Sequence, residues 1–112
     1  MEEVLEELLT LPGAQGAFVV GKDGLVIASA GETDGDPETL GAATAELVTH
    51  LESTFKDRGA LSLFEYAGES GMCYLAGINE VTYLYLQTRP PASTGRLRLG
   101  LKSACHQLRD QL

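Results

Sequence analysis

Any hydrolytic, redox or metal chemistry in this chain has to start from two histidines, His50 and His106, and two cysteines, Cys73 and Cys105. His50 follows Glu46 by four residues, a spacing that stacks both side chains on one helix face and occurs in some metal sites. Without two further ligands spaced to join them, they read as a solvated pair. His106 directly follows Cys105, and adjacent residues on a helix point about 100° apart, so they are poorly placed to grip one ion. The cysteines lack CxxC spacing and sit in apolar segments, which reads as two buried thiols with no disulfide. No catalytic residue is assigned, and neither a metal nor a cofactor is expected.

Thirteen glycines invite a search for a phosphate-binding loop. No Gly-rich turn is followed by Lys-Ser or Lys-Thr and a helix, and Gly21-Lys22-Asp23-Gly24 lies between two β-rich runs, so it reads as a hairpin turn. Arg96, Arg98, Lys102 and Arg109 read as surface charge on an acidic body. That body has a net charge of −8, which repels phosphate backbones and argues against nucleic acid as a partner. The acid excess is one-sided: residues 1–56 hold eleven acids and two bases, whereas residues 57–112 hold five acids and six bases. A solvated acidic face is the simpler reading, and a face that meets a partner is the sharper one.

The 112 residues, 44% of them hydrophobic, suffice for one domain with its own core. The longest apolar run, residues 72–78, is far too short to span a bilayer, and Met1-Glu2-Glu3 does not open like a signal peptide, so a cytoplasmic protein without membrane insertion is expected. Val4, Leu5, Leu8 and Leu9 recur at helical spacing until Pro12-Gly13. Gln15–Val20 and Leu25–Ser29 then form a hairpin about Asp23-Gly24. A loop over Gly31–Gly35 leads to Asp36-Pro37, a helix start in which Asp can cap free N–H groups and Pro suits the first turn. Leu40, Ala43, Leu47, Val48, Leu51 and Phe55 mark what reads as the core face of this middle helix. Three strands follow, Ala60–Tyr66, Met72–Ala76 and Val81–Thr88. After Pro90-Pro91 a final helix carries Leu97, Leu101, Ala104, Cys105, Leu108 and Leu112, with Ser93 or Thr94 as cap.

The strands decide the layering. Both faces are apolar, Phe18 and Val20 against Ala17 and Val19, and Leu84 and Leu86 against Val81, Tyr83 and Tyr85. The sheet therefore needs the middle helix on one side and the terminal helices on the other. Residues 60–66 are expected at an edge with little protection beyond Glu65, so Leu61, Leu63 and Phe64 are expected to pair with a second copy across a two-fold axis. A stripe of small residues on the middle helix, Ala42, Ala45, Thr49 and Ser53, would let a second helix approach closely.

This order of elements, together with Leu11-Pro12-Gly13-Ala14-Gln15-Gly16-Ala17-Phe18-Val19-Val20 running into Lys22-Asp23-Gly24-Leu25-Val26-Ile27-Ala28-Ser29, resembles the Roadblock family of dynein light chains and bacterial GTPase regulators over essentially the whole chain. The resemblance implies an α+β fold, a three-layer α/β/α sandwich of profilin-like type. Its element order is α-β-β-α-β-β-β-α, and its five-stranded antiparallel sheet dimerises through the middle helix and the third strand. It also implies a small Ras-like GTPase as partner, whose hydrolysis a bacterial-type dimer can stimulate by reorganising the GTPase's own residues. This differs from supplying an arginine finger; Arg58 and Arg89 lie in loops, and nothing marks either as one. Glu46, His50 and Glu52 are the expected GTPase contacts on the paired middle helices. No extended tail is expected after Leu112, so functions carried by tails are not transferred. Two competing readings are an inert assembly scaffold and a ligand-sensing module; the latter would need a cavity with convergent polar groups, where these strands offer mainly aliphatic and aromatic side chains.

Overall fold

In the computed structural model, which describes all of residues 1–112, the chain runs α1 (Glu2–Leu8), β1 (Ala14–Gly21), β2 (Val26–Gly31), α2 (Pro37–Thr54), a 3-10 turn (Lys56–Arg58), β3 (Leu63–Gly68), β4 (Gly71–Gly77), β5 (Thr82–Thr88) and α3 (Thr94–Arg109). All strand pairs are antiparallel, in the order β2-β1-β5-β4-β3. The central strands β1 and β5 bury both faces, as their unbroken apolar runs require. Strands β2 and β3 are the two edges.

Side chains sort onto two layers by the period of two. Ala17, Val19, Leu84, Leu86, Tyr74 and Ala76 meet Val4, Leu5 and Leu8 of α1 and Leu97, Leu101, Ala104, Cys105 and Leu108 of α3. Phe18, Val20, Leu75, Tyr83 and Tyr85 face the other way and meet Val48 of α2. The Phe18 and Tyr85 rings stack there with centroids 4.5 Å apart. This is the three-layer α/β/α arrangement, with the middle helix alone on its side.

Several local expectations need correction. Asp36 does precede Pro37 at the start of α2, but its carboxylate accepts from the Thr39 hydroxyl at 3.2 Å and not from a helix N–H. Ser93 does cap α3, accepting from the Arg96 N–H at 3.4 Å. Leu112 lies beyond α3 and is exposed. Cys105 is buried, whereas Cys73 is only half-buried.

The largest correction concerns the rotation of α2. Its sheet-facing residues are Gly41, Thr44, Ala45 and Val48, while Ala43, Leu47 and Phe55 are exposed. Gly41 explains why: a Cβ there would stand 2.6 Å from Val26 Cγ2 and 3.3 Å from the Gly24 carbonyl oxygen. The helix sits so close to the hairpin that only glycine fits, and the small face goes inward. The large aliphatic side chains are left on the flank.

Candidate functional site

Two flanks of α2 differ in chemistry. One overlooks the β1–β2 turn, where Ala42, Glu46, Thr49 and His50 share a shallow recess with Lys22, Asp23 and Gly24. The other overlooks β4 and β3, where Leu40, Ala43 and Leu47 line a groove of about 330 Å³ with Phe64, Tyr66, Cys73, Leu75 and Tyr85. This groove is almost wholly apolar, and its rim is open: Leu47 is 39% exposed and Tyr66 61%. Strand β3 borders it and pairs with β4 only, from Leu63 opposite Ala76 to Gly68 opposite Gly71. A bare strand edge and an apolar trough therefore adjoin.

The small stripe expected to meet a second helix is not on that flank. Ala42 and Thr49 face the β1–β2 turn, and Ser53 continues on their side one helical turn further, exposed. Ala45 is 6% exposed, with Gly24 beneath it: a Cβ on that glycine would lie 3.8 Å from the Ala45 methyl. It lies mainly in the subunit's interior and reaches only the floor of the same recess. Of the expected strand contacts, Phe64 lines the groove, Leu61 is half-buried against the core beneath α2, and Leu63 is exposed on the α3 face of the sheet.

Glu46 and His50 are both exposed and share one recess, as their spacing implies. Glu52 does not join them, because its carboxylate is spent inside the subunit. It accepts from the Leu61 N–H at 2.8 Å and the Tyr83 hydroxyl at 3.2 Å, and pairs with Lys22 Nζ at 3.1 Å. The Leu61 N–H is the main reason its carboxyl titrates below the ordinary value, with the Lys22 ammonium assisting, although burial opposes the shift. Lys22 is in turn raised, chiefly by its bond to Glu52, and burial raises the Tyr83 phenol. One carboxylate thus ties the hairpin turn, α2 and the chain entering β3. Glu52 is a positioning residue for both flanks.

Elsewhere polar groups serve the fold. Gln87, nearly fully buried, accepts from the Asp34 N–H at 3.0 Å and the Tyr85 hydroxyl at 3.1 Å, and donates to Gln15 at 2.8 Å, which pins the loop before α2 to the sheet. Arg89 reaches Asp34 at 3.7 Å with both side chains exposed, and Arg58 lies exposed in the 3-10 turn. No three His, Cys, Asp or Glu side chains gather where they could hold a metal ion. No helix is long and apolar enough to cross a membrane.

Leu40, Ala43 and Leu47, expected on the core face of the middle helix, border this groove together with Tyr66 of the edge strand and Cys73. One signal for them existed: a glycine at position 41, inside an otherwise good helix, marks a close approach and hence the true inner face.

Architecture and surface together define a class, a small three-layer α/β/α domain with an apolar groove between α2 and the edge strand β3. The chain belongs to the Roadblock/LC7 domain family, whose model matches residues 1–88. Uncharacterized proteins of Methanocaldococcus jannaschii are 32% identical over 111 residues, covering 97% of this chain and 93% of one relative. Among solved structures, Myxococcus xanthus MglB superposes with a TM-score of 0.90 at 26% identity, covering 98% of this chain and 92% of that one. The gliding protein MglB of Thermus thermophilus gives 0.85 at 25% identity, covering 96% and 84%. A Roadblock/LC7 domain from Streptomyces avermitilis gives 0.88 at 16% identity over 99% and 96%, a likeness of fold alone.

Proposed function

We propose that this chain is a non-enzymatic, cytoplasmic homodimer that serves as a binding platform for a small Ras-like GTPase. The observation that carries the dimer is the bare β3 edge beside an open apolar groove. Pairing β3 with its copy satisfies the edge, and the two-fold axis then brings Leu40, Ala43 and Leu47 against the twin's. The sites differ from the stripe expected from sequence: the seam uses the aliphatic flank of α2 with Phe64 and Tyr66, and the small flank stays free. That free flank, with Glu46, His50, Thr49 and the adjacent Lys22 and Asp23, is the surface offered to the GTPase. Support for the partner comes from the family and from the fold shared with MglB. Stimulation of hydrolysis belongs to the same reading, through reorganisation of the GTPase's own residues.

Sedimentation equilibrium tests the first half. The wild type should dimerise and Leu47→Asp should weaken the dimer about a hundredfold, as burying an unpaired charge at an interface core does. A wild-type chain that stays a single subunit at high micromolar concentration ends the reading. For the second half, small GTPases retained by the immobilised chain with GDP or a non-hydrolysable GTP analogue are identified and purified. Combined Glu46→Ala and His50→Ala should weaken capture about tenfold and leave the dimer intact. Unaltered capture removes the assignment, and unchanged single-turnover hydrolysis leaves a scaffold.

A further inference from the structure

We propose that the groove between α3 and β3, on the face of the sheet opposite α2, captures an acidic amphipathic segment of a partner protein. The groove measures about 840 Å³ and is lined by Ser62 and Leu63 beside β3, Ala76 and Gly77 of β4, and one flank of α3. It lies on the face of the sheet opposite the recess offered to the GTPase, and its Leu63 wall belongs to the β3 edge, so in the proposed dimer the groove borders the twin's copy of itself. Helix α3 also lies beyond residues 1–88, the stretch that the family model matches.

Charge identifies the guest. The chain is strongly acidic, yet four of its eight Lys and Arg residues, Arg96, Arg98, Lys102 and Arg109, lie on α3. Arg98, Lys102, His106 and Arg109 all line the groove, and no Asp or Glu does. Their spacing of four, four and three residues sets them along one helix flank. Arg98 is already committed to Glu65 by two hydrogen bonds of 2.6 Å, and Arg109 Nε donates to the Ile78 carbonyl oxygen at 2.7 Å. Lys102 and His106 are exposed and form no ion pair. The acidic α1 does not quench them, because Glu7 lies with Val4 and Leu8 on the opposite flank of α3, beside Gly100 and Gln107.

Apolar contact supplies the anchor. Leu99, 71% exposed, stands on one wall, and Leu63, 42% exposed, on the other. From Arg98 to Arg109 the stripe runs about 16 Å by the helical rise, the length of three turns of a guest helix. An amphipathic helix with Leu on one side and Glu flanking it places an apolar ridge between Leu63 and Leu99 and its carboxylates beside Lys102 and His106.

The test uses the full chain and a fluorescein-labelled peptide of about 14 residues, roughly four helical turns, with Leu on one face and Glu on the other. Anisotropy should show saturable binding that weakens with added salt. A matched peptide with Lys in place of Glu should bind at least about tenfold more weakly. Leu99→Asp should abolish binding, and Lys102→Glu should weaken it about tenfold. Lys102→Gln, which only removes the charge, should fall between Lys102→Glu and the wild type. Glu46→Ala, on the opposite face, should change nothing. All of these side chains are exposed, and circular dichroism confirms that the variants fold. Absence of saturable binding, equal binding of the Lys peptide, or indifference to Leu99→Asp overturns the proposal. Preferential retention by phosphatidylserine vesicles through Lys102 overturns it as well, in favour of an anionic membrane surface.

Discussion

The two faces of the sheet are finished to different degrees. On one, α1 and α3 lie side by side, and sixteen buried residues form a continuous core with Leu5, Leu84, Leu86 and Leu108 fully enclosed. On the other, α2 packs mainly over β1 and β2 and reaches β5 and β4 through Val48, six residues form the buried cluster, and Phe64, Tyr66 and Cys73 are left around an open groove. The strands are equally apolar on both faces, so the difference lies in the helical cover. A sheet with two apolar faces and three helices leaves one face half covered, and in the proposed dimer a second copy of α2 would supply the remaining cover.

Substitutions of equal chemistry should separate the two faces. Leu86→Ala removes a fully buried side chain from the finished core and should cost about 2–5 kcal/mol of folding stability. That loss, read by denaturant unfolding, should be the same for the isolated subunit and the assembled protein. Leu47→Ala removes a side chain already 39% exposed. It should change the subunit's own stability by less than about 0.5 kcal/mol while weakening dimerisation about tenfold, so its melting temperature should fall only at concentrations where the wild type is dimeric. Concentration-independent melting in both variants would dissolve the contrast.

Much of this organisation was legible in the residues. Runs apolar on both faces, such as Ala17-Phe18-Val19-Val20 and Leu84-Tyr85-Leu86, demand two covering layers, and Asp23-Gly24 and Pro12-Gly13 punctuate the chain where it turns. The edge position of β3 also followed. The phase of α2 did not, because hydrophobicity ranks Leu40, Leu47 and Phe55 above Gly41 and Ala45 and is silent on which apolar stripe faces the chain's own sheet. Steric closeness decides instead: Gly41 meets Val26, and Ala45 sits over Gly24. Glu52 was misplaced for a related reason. Its spacing along the helix is visible, but the hydrogen bond from Leu61 and the salt bridge to Lys22 arise only when two distant turns converge.

Glu52 also joins the two flanks that the comparison separates, and the next effect in size should come from it. Glu52→Gln weakens an acceptor of the Leu61 N–H and ends the ion pair with Lys22, which should cost about 1–2 kcal/mol at neutral pH. The pH dependence has a definite sign. A carboxyl whose folded-state value lies below the ordinary 4.5 contributes stability that is complete above that value and lost as pH falls through the lower, folded one. The gap between wild type and Glu52→Gln should therefore be constant above about pH 5.5 and close below pH 4.5. A gap that persists at low pH would mean that shape, and not charge, ties Leu61 to α2.

The smallest expected effect is a change in labelling rate, and it reads the unfinished face directly. The two thiols report on opposite sides of the sheet. Cys105 packs in the finished core, where burial pushes its thiol up to about 11, so almost none is ionised at neutral pH. Cys73 lines the open groove with its sulfur 3.5 Å from the Tyr85 hydroxyl. In the native chain iodoacetamide should label Cys73 and leave Cys105 untouched until unfolding. Because a twin's α2 would cover that groove, Cys73 should label a few-fold more slowly as concentration rises through the dimer transition, and Leu47→Asp should restore the fast rate at every concentration. If Cys73 labels at one rate throughout, the twin does not cover that groove, and β3 must then be completed by edge pairing alone.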